Sequence, residues 1–218
     1  MKFARIVSPL LVCAGLGLAA SANAEGWYVV VFGGESSAEG LDQDELDSAL
    51  VNAGFDLQAS ALDDSDTGFG ATLGYRVNEN FATELSYVDL GEVSYDASNE
   101  QANPANESFA LSSSAAGPVF SLLGILPVGE RFEVYGRAGL ALMDVDGEAA
   151  ATIGDVVTRD SASTTRSNFM FGAGGQFNIS ERFGIQLEWD RYVEVGSEDI
   201  TGESDIDLFA LGLRYNFD

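Results

Sequence analysis

The sequence of 218 residues has no histidine, and after residue 24 it has neither cysteine nor lysine. A serine or water nucleophile needs a base with a pKa near the working pH, which histidine most often supplies. A pair of carboxylates is the remaining option, but the acidic residues fall mainly in predicted loops. We therefore expect a protein that is not an enzyme and that uses no cofactor.

Positive charge is also scarce, since 10 Lys and Arg residues are set against 35 Asp and Glu residues. Without Lys2 and Arg5, which belong to the N-terminal leader, the balance is 8 − 35 = −27. Such a chain repels phosphate groups, because nucleic-acid binding requires Lys and Arg to neutralise the backbone. We expect no nucleic-acid partner.

The N-terminus has the pattern of a secretory signal peptide. Lys2 and Arg5 precede an apolar segment, 6–20, and Ala22-Asn23-Ala24 forms a small-x-small cleavage site. We assign 1–24 to the signal peptide and 25–218 to one domain. The domain has no uninterrupted apolar run of the length that a membrane-spanning helix needs, so if it spans a membrane it does so with strands.

The tripeptide Glu-[Asn/Arg]-Phe occurs three times, starting at Glu79, Glu130 and Glu181, with equal spacings of 130 − 79 = 51 and 181 − 130 = 51. A unit of this size that restarts at a tight turn is typical of a structural repeat. We interpret the unit as strand, long loop, strand and short turn, so four units give eight strands. The predicted tight turns are 78–80, 128–130 and 179–181, and the predicted long acidic loops are about 34–66, 90–107, 144–165 and 194–205.

Large apolar residues alternate with small or polar ones in most segments, as expected for strands. In the last segment, Phe209, Leu211, Leu213, Tyr215 and Phe217 alternate with Ala210, Gly212, Arg214 and Asn216. Segments that start near Phe69, Phe81, Phe132, Phe169 and Phe183 do the same. Residues 27–32 are apolar on both faces, and we expect the phase of 109–126 to break near Gly117-Pro118.

The interior of an eight-stranded barrel is only wide enough for side chains to fill it. Five large residues from every strand would overfill it, whereas Gly, Ala and a few long polar residues fit. The aromatic face should therefore point outward into lipid. The aromatic side chains near strand ends would form interfacial girdles: Trp27, Tyr75, Phe81, Phe132, Phe177, Phe183, Trp189, Tyr215 and Phe217. The prediction is an all-β fold, an eight-stranded antiparallel up-and-down transmembrane β-barrel. A soluble lipocalin-like carrier would need the aromatic face in its lumen.

Four stretches, 65–75, 81–91, Tyr135-Gly136-Arg137-Ala138-Gly139 and 211–217, resemble the OmpA-like outer-membrane β-barrel family. The resemblance implies a location in the Gram-negative outer membrane. Partners would be outer-membrane lipid, lipopolysaccharide and, through the C-terminal strand, the barrel-assembly machinery. We expect a monomer. Many members also have a C-terminal peptidoglycan-binding domain and end on an aromatic residue, whereas this sequence stops with its last strand and Asp218 follows Phe217.

Polar side chains on the predicted inner face form a candidate network: Arg76, Glu84, Arg137, Gln176, Gln186, Glu188 and Arg214. Enclosed charges are costly unless they are paired, so we expect Glu84 and Glu188 to pair with the interior arginines. The network is either a plug that closes the lumen or a gate that opens a narrow water path. The corresponding functions are a structural or surface-interaction role in the bacterial envelope and, as the alternative, a narrow gated channel for small solutes.

The acidic loops could bind divalent cations, because Ca²⁺ and Mg²⁺ prefer oxygen ligands. None of them matches a known calcium loop, so simple solvation is the alternative. Residues 42–53 predict a short helix with Asp42 and Glu45 in a capping box and Gly54 just after its end. We expect this helix to pack on the barrel rim, with partner binding or membrane contact as alternatives.

Overall fold

The structure is a computed structural model that describes residues 26–99, 107–197 and 202–217. The predicted signal peptide lies outside these residues. The described part contains nine strands and one helix: β1 (Gly26–Glu39), α1 (Gln43–Asn52), β2 (Ala59–Asp63), β3 (Ser65–Asn78), β4 (Phe81–Asn99), β5 (Glu107–Val128), β6 (Phe132–Ile153), β7 (Val156–Asn178), β8 (Phe183–Ser197) and β9 (Gly202–Asn216).

The strands form one closed antiparallel ring. Its order is β1-β3-β4-β5-β6-β7-β8-β9, and β9 pairs again with β1. Strand β2 pairs with the C-terminal half of β4. Only Asp64 separates β2 from β3, so the two strands occupy one position in the barrel wall. The ring therefore has eight positions, and the predicted eight-stranded antiparallel barrel is confirmed.

Three short turns lie at one end of the ring, which we call the turn end. They connect β3 to β4, β5 to β6, and β7 to β8, and each contains a copy of the Glu-[Asn/Arg]-Phe repeat. In the first turn, the Asn78 side-chain oxygen accepts hydrogen bonds from the backbone N–H groups of Asn80 and Phe81 at 2.8 and 2.9 Å. The predicted tight turns are confirmed.

The predicted loops 90–107, 144–165 and 194–205 are wrong for the residues that the structure describes in them, because those residues are strand apart from the short turn between β6 and β7. Strands β5, β6 and β7 have 22, 22 and 23 residues, and the β6–β7 ladder continues to the pair Ile153–Val156. The outward positions there carry acidic residues such as Asp144 and Asp146 instead of aromatic ones. The composition of these strand segments resembles that of a loop, although their residues still alternate between the two faces as in a strand. We call this part of the barrel the outer extension.

The predicted phase break near Gly117-Pro118 is also wrong. Ala115, Val119 and Leu123 of β5 alternate without interruption on the inner face. The irregularity lies across the ladder in β4, where the register shifts between Asp89 and Glu92. Gly91 at this bulge has φ +77°, a left-handed conformation that favours glycine. The bulge keeps apolar residues of β4 on the inner face on both of its sides.

The exterior between the two ends is a belt of exposed apolar side chains. Aromatic rings mark both edges of this belt. At the turn end the ring centroids of Trp27 and Tyr75 are 5.1 Å apart. At the opposite edge Trp189 lies 5.8 Å from Phe171 and 6.5 Å from Phe209. A soluble barrel would bury such a face, so its exposure is typical of a barrel that lies in lipid.

The inner face is less uniformly small and polar than expected, because it also buries tyrosines and methionines. The fully buried side chains include Tyr28, Tyr192, Met143 and Met170. Inward glycines provide the space. A Cβ at Gly74 would lie 2.1 Å from Tyr28 Cζ, and one at Gly174 would lie 2.5 Å from Tyr135 Cζ.

Helix α1 forms where it was predicted, although the Asp42 side chain caps it through Asp44 and not through the predicted capping box with Glu45. The Asp42 side chain accepts a hydrogen bond from Asp44 N at 2.8 Å, and Gly54 follows the helix with φ +96°. The N–H groups of Gly54 and Phe55 bond the carbonyls of Val51 and Leu50, both at 3.0 Å, which closes the last turn. Among the residues that the structure describes, no helix has the length and apolarity needed to cross a membrane.

Candidate functional site in the barrel lumen

Arg137 is the centre of an ionic cluster inside the barrel. Its Nη1 lies 3.2 Å from Glu188 Oε2, 3.2 Å from Asp190 Oδ2 and 3.9 Å from Glu84 Oε2. All four side chains are at most 6 % exposed. We call these four residues the central cluster. It contains three carboxylates for one guanidinium group.

Two tyrosines complete this layer. Tyr28 donates a hydrogen bond to Glu84 Oε1 at 2.8 Å, and Tyr135 donates one to Glu188 Oε2 at 3.0 Å. Strands β1, β4, β6 and β8, which contribute Tyr28, Glu84, Arg137 and Glu188, occupy alternate positions of the ring. Small barrels fill their interior with such layers from alternate strands. The central cluster therefore extends across the lumen.

The remaining predicted lumen residues form a second group nearer the turn end. Gln176 Oε1 accepts hydrogen bonds from Arg214 Nη1 and Gln186 Nε2, both at 2.9 Å. The Arg214 guanidinium carbon also lies 3.4 Å from the centre of the Tyr28 ring, close enough for a cation–π contact. Arg76 Nη1 donates to Glu133 at 2.9 Å.

The structure thus divides the seven predicted residues between two layers. The central cluster contains Glu84, Arg137 and Glu188. The layer nearer the turn end contains the other four: Arg76, Gln176, Gln186 and Arg214. Both Glu84 and Glu188 lie within ion-pairing distance of Arg137. Arg76 instead pairs with Glu133, and Arg214 interacts with Tyr28 and Gln176.

Sequence reasoning did not include Asp190, Tyr28 or Tyr135 in the network. Asp190 follows Glu188 by two positions, so the alternation already placed it on the inner face and could have identified it. Tyr28 lies in a segment that is apolar on both faces, and the sequence contains no signal for its orientation. The contacts of both tyrosines depend on the tertiary fold.

Several polar atoms of the lumen are buried without a hydrogen-bond partner among the residues that the structure describes. They include Asp190 Oδ1, Arg137 Nε and Ser121 Oγ. Buried polar groups are normally satisfied, so the central cluster is incompletely paired despite its short contacts.

Two cavities flank the central cluster. One of about 560 Å³ opens at the turn end and is lined by Arg76, Glu133, Gln176 and Arg214, among others. The other, of about 490 Å³, lies in the outer extension. None of the four residues of the central cluster lines either cavity, so the cluster is part of the partition between them.

A separate polar contact attaches α1 to the outer extension. Asp47 accepts hydrogen bonds from Tyr95 Oη at 2.5 Å and from Ser60 Oγ at 2.9 Å. Gln43 Nε2 donates to Ser60 Oγ at 2.8 Å. Burial, and then the hydrogen bond to Asp47, raises the pKa of Tyr95 to about 12. The expectation that the helix packs at the barrel rim agrees with these contacts.

A closed ring of antiparallel strands, an exposed apolar belt with aromatic edges and a polar lumen together define a transmembrane β-barrel. A family model for the OmpA-like transmembrane domain matches residues 22–218. The chain therefore belongs to the OmpA-like transmembrane domain family.

Outer membrane protein P5 of Haemophilus influenzae is 26% identical over an alignment of 195 positions that covers 85% of this chain and 51% of that protein. The chain thus spans about half the length of this curated relative. Neisserial surface protein A aligns over 88% of this chain and 97% of its own, with 15% identity and a TM-score of 0.45. The N-terminal β-barrel domain of Pseudomonas aeruginosa OprF aligns over 89% and 98%, with 14% identity and a TM-score of 0.43.

Proposed function

We propose that this protein is a non-enzymatic barrel of the Gram-negative outer membrane with a structural or surface-interaction role. The exposed apolar belt supports insertion into lipid, and the predicted signal peptide would provide export. The absence of histidine from the whole sequence supports a role without acid–base catalysis.

The central cluster is the observation that carries this proposal. An eight-stranded barrel has room for little more than its own side chains, and this layer joins residues from opposite walls at ion-pair distance. On the side of the outer extension, Met143, Met170 and Tyr192 are fully buried and fill further space. A lumen closed in this way favours a structural role over transport.

Liposome swelling tests the proposal. Vesicles that contain the reconstituted barrel should swell no faster than empty vesicles in isosmotic solutions of small neutral solutes. A general porin serves as the positive control. Swelling that falls steadily with increasing solute size would show an open pore and would contradict the closed lumen.

The outer extension is the part that we propose for surface interaction. A strand needs roughly 9–11 residues to cross a membrane, whereas β5, β6 and β7 have 22, 22 and 23. About half of each strand is thus available beyond the lipid. Acidic residues on its outer wall, such as Asp144 and Asp146, would meet lipopolysaccharide phosphates through bridging divalent cations. Within the described ranges no group of acidic side chains is arranged to hold a metal ion, so such ions would need ligands from both partners.

The remaining proposed partners follow from the fold. Outer-membrane lipid would contact the apolar belt, and the barrel-assembly machinery would act through β9. The closed ring leaves no free strand edge among its eight positions, which supports a monomer.

A narrow gated channel is the second candidate function, and a separate observation favours it. Cavities of about 560 and 490 Å³ lie on the two sides of the central cluster, and two buried atoms of that cluster, Asp190 Oδ1 and Arg137 Nε, have no hydrogen-bond partner in the described part of the chain. Joining the two cavities would require Arg137 and also the fully buried Met143, Met170 and Tyr192 to rearrange. Planar-bilayer conductance of Glu84→Ala and Arg137→Ala tests this idea. The gate predicts new or larger currents in both variants, and no current in either of them would refute it.

A further inference from the structure

Strand β7 is paired along its whole length on one side only. Its ladder with β6 continues without a register shift to the pair Ile153–Val156, whereas its ladder with β8 stops at the pair Met170–Tyr192. Among the residues that the structure describes, 156–169 therefore have no backbone partner on the β8 side. The ring closes at all eight positions, but for β7 the closure covers only the part nearer the turn end.

Two side-chain contacts hold β8 beside β7 just above the last backbone pair. Asn168 Nδ2 donates to the carbonyl oxygen of Val193 at 3.3 Å, and Arg166 Nη2 donates to Ser197 Oγ at 3.1 Å. Strand β8 ends at Ser197, whereas β7 continues beyond Arg166 and away from the membrane. The residues beyond Arg166, 156–165, are mostly exposed. We call them the free edge.

The free edge has the composition of a strand that can accept another strand. Successive residues of an antiparallel strand direct their backbone N–H and C=O groups alternately to its two sides, so every second residue leaves these groups to solvent. Strand edges are usually protected by proline, a bulge or charged side chains. The free edge contains no proline, half of it is Val or Thr, and its only charges are Arg159 and Asp160. It is therefore a template for β-augmentation.

A row of carboxylates lies one strand away from the free edge. Three exposed acidic residues, which we call the carboxylate row, alternate along the outer face of β6: Asp144, Asp146 and Glu148. Their partners on the free edge are small: Thr165, Ser163 and Ser161. A strand added to this edge would lie two strand spacings from β6, about 10 Å. Long basic side chains on its outer face would extend over the small residues to the carboxylates. Arg159 lies beyond Ser161 on this face, so a strand opposite 161–165 avoids it.

We propose that the free edge binds an extended basic segment of another protein by β-augmentation, with Lys or Arg opposite Ser161, Ser163 and Thr165. Backbone hydrogen bonds form the pairing, and the carboxylate row selects basic over acidic segments. A second copy of this chain does not fit this selection, because its 35 acidic residues far exceed its 10 basic ones. The inference rests on the proposed surface role of the outer extension, but it does not require a closed lumen.

Titration with a synthetic peptide tests the proposal. The barrel is reconstituted in nanodiscs of zwitterionic lipid without lipopolysaccharide, and a chelator keeps divalent cations off the carboxylate row. The probe is the capped heptapeptide Thr-Lys-Val-Lys-Val-Lys-Thr. One counterpart has Glu in place of each Lys. Two others keep the sequence and are N-methylated either at the lysines or at the residues between them, so that each lacks the N–H groups of one edge.

We expect saturable binding of one probe peptide per barrel. The Glu peptide should bind about tenfold more weakly or worse, because the carboxylate row repels it. One of the two N-methylated peptides should also lose about tenfold, because it cannot donate to the free edge. No saturable binding above empty nanodiscs, equal affinity for the Glu peptide, or full affinity of both N-methylated peptides would overturn the proposal.

Variants and hydrogen exchange locate the site. A triple variant that neutralises the carboxylate row should weaken binding about tenfold: Asp144→Asn, Asp146→Asn and Glu148→Gln. A matched control neutralises three exposed glutamates at the turn end and should leave the affinity unchanged: Glu79→Gln, Glu130→Gln and Glu181→Gln. Amide exchange within the free edge of the unmodified barrel should slow when the probe binds. Unchanged exchange there, or equal affinity of the two triple variants, would refute the site.

The peptide result and the liposome-swelling result can fail separately. Swelling of vesicles would contradict the closed lumen and would leave peptide binding at the free edge intact. Absence of peptide binding from a barrel that gives no swelling would overturn the inference about the free edge alone.

Discussion

At the scale of single residues, Arg137 compensates the negative charge of buried carboxylates in the lumen. Its neighbours Glu84, Glu188 and Asp190 are all at most 6 % exposed. Desolvated charges are costly unless partners compensate them. The guanidinium group therefore stabilises the layer that closes the barrel.

Arg137→Leu should destabilise the barrel by about 3–5 kcal/mol, because it leaves uncompensated buried carboxylates. Arg159→Leu, which changes an exposed arginine on β7, should change stability by no more than about 0.5 kcal/mol. Urea unfolding of the two variants in the same bilayer measures the difference. Equal unfolding midpoints would show that the cluster does not stabilise the fold.

The inward glycines are a second feature at this scale. Gly74→Ala brings a Cβ within 2.1 Å of the Tyr28 ring, so Tyr28 must move and lose its bond to Glu84. We expect a loss of about 1–3 kcal/mol, as for other overpacked interiors. Gly124→Ala is the control, since a Cβ there meets no heavy atom within 4 Å. If both variants unfold at the same urea concentration, close packing at Gly74 is not the cause.

Alternation in the sequence was enough to place Glu84, Arg137 and Glu188 on the inner face. It could not identify partners, because these depend on strand order and stagger. The sequence therefore did not indicate that Arg76 would contact Glu133, or that Arg214 would lie over Tyr28. Those contacts join residues 57 and 186 positions apart (133 − 76 and 214 − 28).

At the scale of elements, the turns and the helix could be predicted and the strand ends could not. Each turn has a local signal, and α1 has Asp42 before it and Gly54 after it. The strand ends of the outer extension lack such signals. Once a strand leaves lipid its outward residues become polar, and the aromatic alternation that marks a membrane strand disappears.

The attachment of α1 should depend on pH through Tyr95. Because its pKa is raised to about 12 in the folded state, from an ordinary value of about 10, its stabilising contribution is complete below about pH 10. It is lost as the pH rises through 12. A spin label on the exposed Ser48 should thus become more mobile in electron paramagnetic resonance spectra over this interval.

Tyr95→Phe is the control for that experiment. The label should already be mobile at neutral pH, with no further transition between pH 10 and 12, because phenylalanine cannot donate to Asp47. A transition of the same size in this variant would assign the change to another group.

At the scale of the whole molecule, the outer surface of a single sheet faces two different solvents, lipid and water. The belt exposes apolar residues to lipid, and the outer extension exposes acidic residues to water. The β4 bulge at Gly91 lies near the boundary between the belt and the outer extension. It keeps apolar residues of β4 on the inner face on both of its sides. The alternation of large apolar with small or polar residues predicted the belt and the barrel, but only the ring order shows that the central cluster joins alternate strands.

The two tryptophans of the sequence report the position of the belt. Trp27 lies at its turn end and Trp189 at its opposite edge. Lipids brominated near the headgroup should quench both fluorescence signals more strongly than lipids brominated near the chain end, because both rings lie at interfaces. Trp27→Phe and Trp189→Phe separate the signals. Stronger quenching of either signal by the deep label would contradict the proposed position of the belt.

The closed lumen is the central claim, and single-channel recording of the unmodified barrel tests it most directly. The barrel should insert into a planar bilayer without raising the current above that of the bare membrane. Heat-dependent gel mobility and protease resistance serve as the controls for folding and insertion. The ion pairs of Arg137 with Glu84, Glu188 and Asp190 require this result if they stay formed. Stable, stepwise currents from the unmodified chain would contradict the account and would favour the gated channel.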